Sequence, residues 1–224
     1  MAATVKFRDF SNYLISGASS SGKSQFARNL LLEKDRLFVT PPSKIVVTYK
    51  HWQSFYDELQ KRMPQQLEFI DRVPTEAELE EMTRGHKHSI YLADDMASEV
   101  ATNPFFLDLL TRVGHHVGVS AVIIVQDAAL GGKNKSALLK NFHVNIFMTA
   151  PRERQVIKSL GILLDDYKAL VSSYDHATAV KYGYLCVDTH PAAETDYRYR
   201  SGLFEHDGPV IIYRSRKKKK EEDA

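Results

Sequence analysis

Hydrophobic residues along the chain are grouped in short continuous runs that end in polar or charged residues. Such runs, rich in valine and isoleucine, are typical of strands that are buried on both faces of a parallel sheet. The strongest predicted strands span residues 12–17, 44–50, 88–96, 119–127, 144–149 and 182–190, and weaker ones span 67–71 and 209–214. The pattern therefore predicts a large sheet with an apolar core on each side.

Segments between these strands carry apolar residues at helical spacing instead. Phe26, Leu30 and Leu31 show this spacing, and Thr75 with Glu78 forms a capping-box signature at the start of another segment. The predicted helices span 22–34, 51–63, 73–83, 103–116, 135–142 and 151–161. This alternation predicts an α/β fold, with a mostly parallel central sheet and helices on both faces. We expect one domain over residues 1–213 and a disordered tail over 214–224.

The formal net charge of the 224 residues is only +2, and it is unevenly distributed. From Arg214 onward, six basic and three acidic residues give this end +3, which leaves −1 for the rest of the chain. The body is therefore not a generally basic nucleic-acid binder. Three interpretations of the tail remain open: a nuclear localisation signal, a non-specific DNA contact, or a solvated segment.

Cysteine and histidine usage argues against a disulfide framework and against structural zinc. Cys186 is the single cysteine and lies in an apolar run, so we expect a buried strand residue. The pairs His86/His88 and His115/His116 lack a third ligand cluster at zinc spacing. No signal-like start and no membrane-length apolar run is found, which predicts a soluble intracellular protein without membrane contact.

The sequence GASSSGKS at 17–24 matches G-x-x-x-x-G-K-[ST] at every fixed position, between a predicted strand and a predicted helix. Glycines allow successive backbone N–H groups to face one anion, and the helix N-terminus adds partial positive charge. Lys23 would neutralise β- and γ-phosphate charge, and Ser24 would ligate Mg²⁺. The residues expected to bind nucleotide are Gly17, Ala18, Ser19, Ser20, Ser21, Gly22, Lys23, Ser24 and Gln25. A plain Gly/Ser surface loop is the alternative.

Polar residues at the ends of two other strands complete a candidate NTPase site. Asp94 and Asp95 follow the apolar run of 88–96, and strand ends in parallel sheets face the ligand crevice. Asp94 would hold Mg²⁺, and Asp95 would polarise or deprotonate the attacking water. Gln126 is the first polar residue after the apolar part of 119–127, and it would orient water and sense the γ-phosphate. The alternative for each is an ordinary polar residue in a turn after a buried strand.

With one strand that ends in carboxylates and another that ends in a glutamine, the chain resembles the FtsK–HerA class of P-loop ATPases. More narrowly, it is similar to the genome-packaging ATPases of double-stranded DNA viruses with double-jelly-roll capsids, of the Polinton and adintovirus type. The matching segments are GASSSGKSQF at 17–26, IYLADDM at 90–96, GHHVGVSAVIIVQD at 114–127, NIFMTAPRERQVIKSLG at 145–161 and a long one at 182–204. Within them, the family's basic–His pair corresponds to His115-His116, its N-P-R-D-R motif to 150–154 and its Y-L-x-x-D strand to 184–188.

The resemblance implies a ring-forming, Mg²⁺-dependent ATPase that pushes double-stranded viral DNA into a preformed capsid. Its implied partners are duplex DNA without sequence specificity, further copies of the chain, and viral capsid proteins, in the host nucleus or the virion. A ring motor places an arginine near the γ-phosphate of the neighbouring subunit. Arg152 is the first candidate, with Arg154 and Arg112 as alternatives; a solvated charge at a helix start is the simpler explanation.

Two other functions remain open on the sequence. A small-molecule kinase would share the phosphate loop but needs an acceptor pocket and an arginine-rich lid. A nucleotide-dependent assembly protein at a capsid vertex would bind ATP with little turnover. The lysine-bearing segment 130–140 is equally compatible with a DNA-facing pore loop and with a mobile surface loop.

Overall fold

The fold is built on one nine-stranded sheet with the spatial order β3-β2-β4-β5-β1-β6-β7-β8-β9. The computed structural model describes residues 5–128 and 135–214. The strands are β1 (Tyr13–Ser16), β2 (Lys44–Tyr49), β3 (Leu67–Ile70), β4 (Ser89–Asp94), β5 (Val119–Val125), β6 (Val144–Met148), β7 (Tyr184–Asp188), β8 (Tyr199–Ser201) and β9 (Ile211–Tyr213). Strands β1 to β6 are parallel to one another, whereas β7, β8 and β9 each pair antiparallel with the strand before them. The predicted α/β fold with a mostly parallel sheet is confirmed.

Helices cover both faces of this sheet. They are α1 (Lys23–Leu32), α2 (Lys34–Leu37), α3 (Ser54–Arg62), α4 (Glu76–Thr83), α5 (Ala97–Thr102), α6 (Pro104–Asp108), α7 (Gly114–Val117), α8 (Lys135–Lys140), α9 (Glu153–Leu163) and α10 (Tyr167–Ala177). The predicted capping box at Thr75 and Glu78 starts α4. The single helix predicted over 103–116 is wrong in detail, because a π-helical turn (Leu109–Val113) separates α6 from α7.

Neighbouring residues of each central strand face opposite cores, because side chains alternate across a strand. Leu14 of β1 and Tyr91 of β4 belong to the core under α6, α9 and α10. Ile15 and Leu92, the next residues along, belong to the core under α1 and α3. Both faces of these strands are therefore buried, which explains why the sequence shows continuous apolar runs rather than alternation.

The antiparallel edge was only partly visible in the sequence. The predicted strand 182–190 contains β7, with Cys186 fully buried as expected. β8 was missed because it is three residues long and its central residue is Arg200. That arginine is 1% exposed and donates to the buried Asp188 of β7 at 3.0 Å, so the two strands are joined by a buried ion pair.

Two further predictions are only partly covered by the described residues. Residues 130–134 of the lysine-bearing segment 130–140 and residues 215–224 of the tail lie outside them. Among the described helices, none is long and apolar enough to cross a membrane. The described residues contain no group of three or more potential metal-ligating His, Cys, Asp or Glu side chains.

Candidate nucleotide-binding site

The loop between β1 and α1 forms a tight turn directly before the N-terminus of α1. Gly22 has φ 109°, a left-handed conformation that favours glycine. At Gly17, an added Cβ would lie 2.7 Å from Cβ of Met148, so only glycine fits there. Ala18 N–H donates to the carbonyl of Thr149 at 3.1 Å, which fastens the loop to the segment after β6.

The Lys23 ammonium lies back over this loop. Its Nζ donates to the carbonyl oxygens of Gly17 and Ala18 at 2.7 and 2.8 Å. Burial lowers the pKa of Lys23, while the nearby carboxyl groups of Asp94, Asp95 and Glu153 oppose that shift. A half-buried cation beside a helix N-terminus and its N–H groups makes a site for phosphate.

A chain of hydrogen bonds joins the end of the phosphate loop to β4. Ser24 Oγ donates to Oε1 of Gln53 at 3.0 Å, and Nε2 of Gln53 donates to Oδ2 of Asp94 at 2.7 Å. The Tyr56 hydroxyl donates to the same carboxylate oxygen. Burial raises the pKa of Asp94, and the Tyr56 hydroxyl and Lys23 oppose that shift. Ser24 and Asp94 thus offer hydroxyl and carboxylate oxygens, the donor types that Mg²⁺ prefers.

Gln53 and Tyr56 were missed by the sequence reasoning. Gln53 immediately precedes α3 and Tyr56 lies in its first turn, and neither belongs to a recognisable motif. The sequence gives no local reason to expect a glutamine there to reach two residues of the phosphate site. The signal that could have found them is the proximity of β2 and β4, whose adjacent carboxyl ends bring α3 beside Asp94.

The two remaining polar residues of the predicted site lie at the same edge of the sheet. In the sheet, β5 lies between β4 and β1, so Gln126 follows β5 between Asp94 and the phosphate loop. Asp95 has φ 58°, a conformation uncommon for a residue other than glycine, and its side chain is turned out of the strand into solvent. Lys23, Ser24, Asp94, Asp95 and Gln126 line one pocket of about 200 Å³.

This arrangement of strand, glycine loop, helix and neighbouring acidic strand decides the architecture. The fold is that of a P-loop NTPase. No protein-family profile and no curated protein matches the chain at the level of sequence. Solved structures do match, and they show the same fold at low sequence identity.

Viral packaging enzymes are among the similar structures. The DNA-packaging ATPase B204 from Sulfolobus turreted icosahedral virus is 14% identical, with a TM-score of 0.55 over 93% of this chain and 99% of that one. The genome packaging NTPase B204 from Sulfolobus turreted icosahedral virus 2, in complex with ATP-gammaS, is 16% identical, with a TM-score of 0.53 over 92% and 97%. The cytoplasmic domain of the type VII secretion ATPase EccC from Thermomonospora curvata is 14% identical, with a TM-score of 0.51 over 92% of this chain and 25% of that one. The chain has the fold of ATP-hydrolysing P-loop enzymes.

The candidate arginines differ in how they are held within the chain. Arg112 makes two hydrogen bonds of 3.0 Å to Glu76, and Arg154 pairs with Asp175 at 2.9 Å. Arg152 is the most exposed of the three at 72%, and its Nη1 lies 3.5 Å from Asp127. It precedes α9 and does not line the pocket that contains Lys23 and Gln126. Its position therefore leaves it available to a neighbouring molecule.

Glu153, next to Arg152, is fully buried, which the charged sequence PRER did not suggest. Its Oε1 accepts from the backbone N–H of Ala128 at 3.1 Å. It thereby fastens the segment after Gln126 to the start of α9. Burial raises the pKa of Glu153 from 4.5 to about 7.

This raised pKa predicts a pH-dependent loss of stability that Glu153→Gln removes. Between about pH 4.5 and 7, Glu153 is ionised in the unfolded chain but protonated in the folded protein, so the free energy of unfolding falls as pH rises. From pH 5 to pH 8, we expect the native protein to lose about 2 to 3 kcal/mol relative to Glu153→Gln. Urea unfolding at both pH values measures this difference, and Glu80→Gln, at an exposed position, is the control. Equal pH dependence in the native protein and in Glu153→Gln would contradict the assignment.

Proposed function

We propose that the protein is a Mg²⁺-dependent ATPase motor that moves double-stranded viral DNA into a preformed capsid. The observation that carries the proposal is the pocket in which Lys23, Ser24, Asp94, Asp95 and Gln126 meet at one sheet edge. Its walls carry a lysine, a hydroxyl, two carboxylates and an amide, which are residue types that phosphoryl transfer to water uses. The similarity in fold to viral packaging ATPases along nearly the whole chain supports the choice of duplex DNA as the molecule that is moved.

Binding of the triphosphate is assigned to residues 17–25. The backbone N–H groups of the loop and of the first turn of α1 would hold the phosphates, and Lys23 would leave its two carbonyl partners to neutralise them. Ser24 and Asp94 would hold Mg²⁺ between them, after the Gln53 amide that now joins them has moved. Bound Mg²⁺ supplies positive charge for the β- and γ-phosphates.

Activation of water is assigned to Asp95 and Gln126. Asp95 is exposed beside the buried Asp94, so its carboxylate is free of the hydrogen bonds that Gln53 and Tyr56 give its neighbour. It would accept a proton from the attacking water, and the Gln126 amide would orient that water. Arg152 of an adjacent copy would stabilise charge that develops on the transferred phosphoryl group.

Substitution of the two neighbouring aspartates is predicted to have different effects on nucleotide binding and turnover. Asp95→Asn should retain Mg²⁺-ATP binding and lose turnover by on the order of a hundredfold or more, because it removes only the proton acceptor. Asp94→Asn should also weaken Mg²⁺-dependent nucleotide binding, because it removes a ligand oxygen. Calorimetric titration with ATP, with and without Mg²⁺, separates these losses. Equal loss of nucleotide affinity in both variants would show that the two roles are assigned wrongly.

Phosphate release with and without duplex DNA tests the proposal against its alternatives. The motor should hydrolyse ATP faster when duplex DNA of any sequence is added. A small-molecule kinase would respond to an acceptor molecule instead, and a vertex assembly protein would respond to neither. DNA-independent hydrolysis would therefore contradict a DNA motor while leaving the nucleotide site intact.

Assembly and location follow from the same proposal. A trans-acting Arg152 requires a ring of copies, and packaging requires capsid proteins at the ring's base, in the host nucleus or within the virion. Sedimentation of the protein with ATP and duplex DNA measures the assembly directly. A chain that stays monomeric at concentrations where it hydrolyses ATP would contradict the ring.

A further inference from the structure

A second cavity opens on the other side of the N-terminus of α1. It has a volume of about 390 Å³, and Gly22, Gln25, Phe26 and Met148 lie on its wall. None of its lining residues lines the pocket of Lys23 and Asp94. The phosphate loop and the first turn of α1 thus lie between two cavities. A nucleoside triphosphate bound to the loop could place its γ-phosphate in the pocket of Lys23 and its base in the second cavity.

Tyr182 forms one side of this cavity directly beside the phosphate loop. Atoms of its side chain lie 3.3 Å from the position that a Cβ on Gly22 would occupy, so the ring lies directly beside the loop. The residue is 56% exposed, and Nζ of Lys181 lies over its ring, 4.9 Å from the centroid, so a ligand that stacks on that face would displace a mobile surface ammonium. Its backbone has φ 63°, a costly conformation for an aromatic residue. The structure therefore maintains an accessible aromatic ring at the loop without gaining much burial from it.

The deeper walls of the cavity are aromatic as well. Phe26 packs edge-on against Tyr184 and Phe204, both with ring centroids 4.9 Å away, and His206 stacks on Phe204 at 5.7 Å. Tyr213 of β9 lines the far side. Flat aromatic walls suit a flat aromatic ligand, because rings attract one another in offset and edge-to-face arrangements.

Several polar side chains on these walls are already paired with one another. Oδ1 of Asn29 accepts from Gln25 at 3.1 Å, and the Tyr184 hydroxyl donates to Asp207 at 2.5 Å. The Tyr213 hydroxyl lies 3.1 Å from Ser201 Oγ. A ligand in the cavity would therefore gain more from stacking than from new hydrogen bonds to these groups.

We infer that this cavity binds the base and ribose of the nucleotide, with the base stacked on Tyr182. The inference rests on the proposed ATPase function, because it takes the phosphate loop as the site of the triphosphate. The antiparallel edge of the sheet then has a role in the site: β7 and β9 supply Tyr184 and Tyr213 to the base pocket.

Weak discrimination among purine bases follows from stacking. A site built on hydrogen bonds to a base edge rejects the wrong base strongly, whereas an apolar pocket does so only weakly. ATP and GTP should therefore bind with affinities within about tenfold of each other. Stacking on an aromatic side chain is sequence-tolerant in nucleic-acid binding for the same reason, since every base has a π-face.

The test compares Tyr182→Ala and Tyr182→Phe with Tyr167→Ala, a control at another exposed tyrosine. Calorimetric titration with Mg²⁺-ATP and with inorganic triphosphate measures affinity without turnover. Tyr182→Ala should weaken ATP binding by about ten- to a hundredfold, the range expected for one stacked base, and leave triphosphate binding unchanged. Tyr182→Phe should restore ATP binding, because the ring alone is required. Tyr167→Ala should match the native protein with both ligands.

Two results would overturn the inference. One is unchanged ATP affinity in Tyr182→Ala, and the other is an equal loss of ATP and triphosphate affinity, which would show that the variant disturbs the loop itself. Lys23→Ala distinguishes these from failure of the proposed function. If Lys23→Ala leaves triphosphate binding intact, the phosphate site itself is wrong, whatever Tyr182 does.

Discussion

Lys23→Ala is expected to abolish ATP hydrolysis and to weaken Mg²⁺-ATP binding by at least about a hundredfold, because it removes the cation that faces the β- and γ-phosphates. The residue has no other evident task in the described structure, since its Nζ contacts only two carbonyls of its own loop. The loop is also held by Gly17 against Met148 and by the hydrogen bond from Ala18 to Thr149, so the fold should persist.

Phosphate release and nucleotide titration measure these two effects. Lys61→Ala, an exposed lysine in α3, is the matched control and should behave as the native protein. Circular dichroism of each variant establishes that it is folded. Undiminished turnover in folded Lys23→Ala would refute the phosphate-loop assignment and with it every role assigned to the neighbouring residues.

Arg152→Ala should leave ATP binding nearly intact and reduce hydrolysis by on the order of a thousandfold, as expected when an arginine finger is removed. Binding survives because Arg152 does not line the pocket of its own chain. Its side chain is 72% exposed, so truncation should not disturb the core. Arg154 and Arg112 are held by ion pairs of 2.9 and 3.0 Å, shorter than the 3.5 Å pair of Arg152 with Asp127, so their substitution by alanine is expected to have smaller effects on hydrolysis.

Mixing Arg152→Ala with Lys23→Ala subunits tests whether the arginine acts in trans. Each variant is inactive alone, but in a mixed ring some interfaces pair an intact phosphate loop with a neighbour's intact Arg152. Activity should then partly return. If the proteins demonstrably co-assemble and no activity returns, Arg152 is not a trans-acting finger, and Arg154 and Arg112 should be tested in the same way.

The sequence predicted the parts of the site that depend on local pattern. The phosphate loop could be recognised because its residues are contiguous. The positions of Asp94 and Gln126 followed because the polar ends of buried parallel strands meet at one edge of a sheet. The structure brings these residues together, while their chemical roles and that of Arg152 stay predictions.

Residues that act through the tertiary structure could not be predicted. Gln53 and Tyr56 reach Asp94 only because β2 and β4 are neighbours. Glu153 is buried although charged residues flank it in the sequence, because α9 begins against the segment after β5. α10 was missed although Leu170, Tyr174 and Ala177 recur at helical spacing, so its signal was present in the sequence.

A DNA motor must move along duplex DNA, and displacement of a third strand from the duplex measures this movement most directly. A fluorescent oligonucleotide is bound as a triplex at one end of a linear duplex, and its release is followed after addition of protein, Mg²⁺ and ATP. We predict release with ATP in the native protein, none with ATP-gammaS, and none with Lys23→Ala. DNA-stimulated hydrolysis without any release of the third strand would contradict the proposal that this protein is a translocating motor.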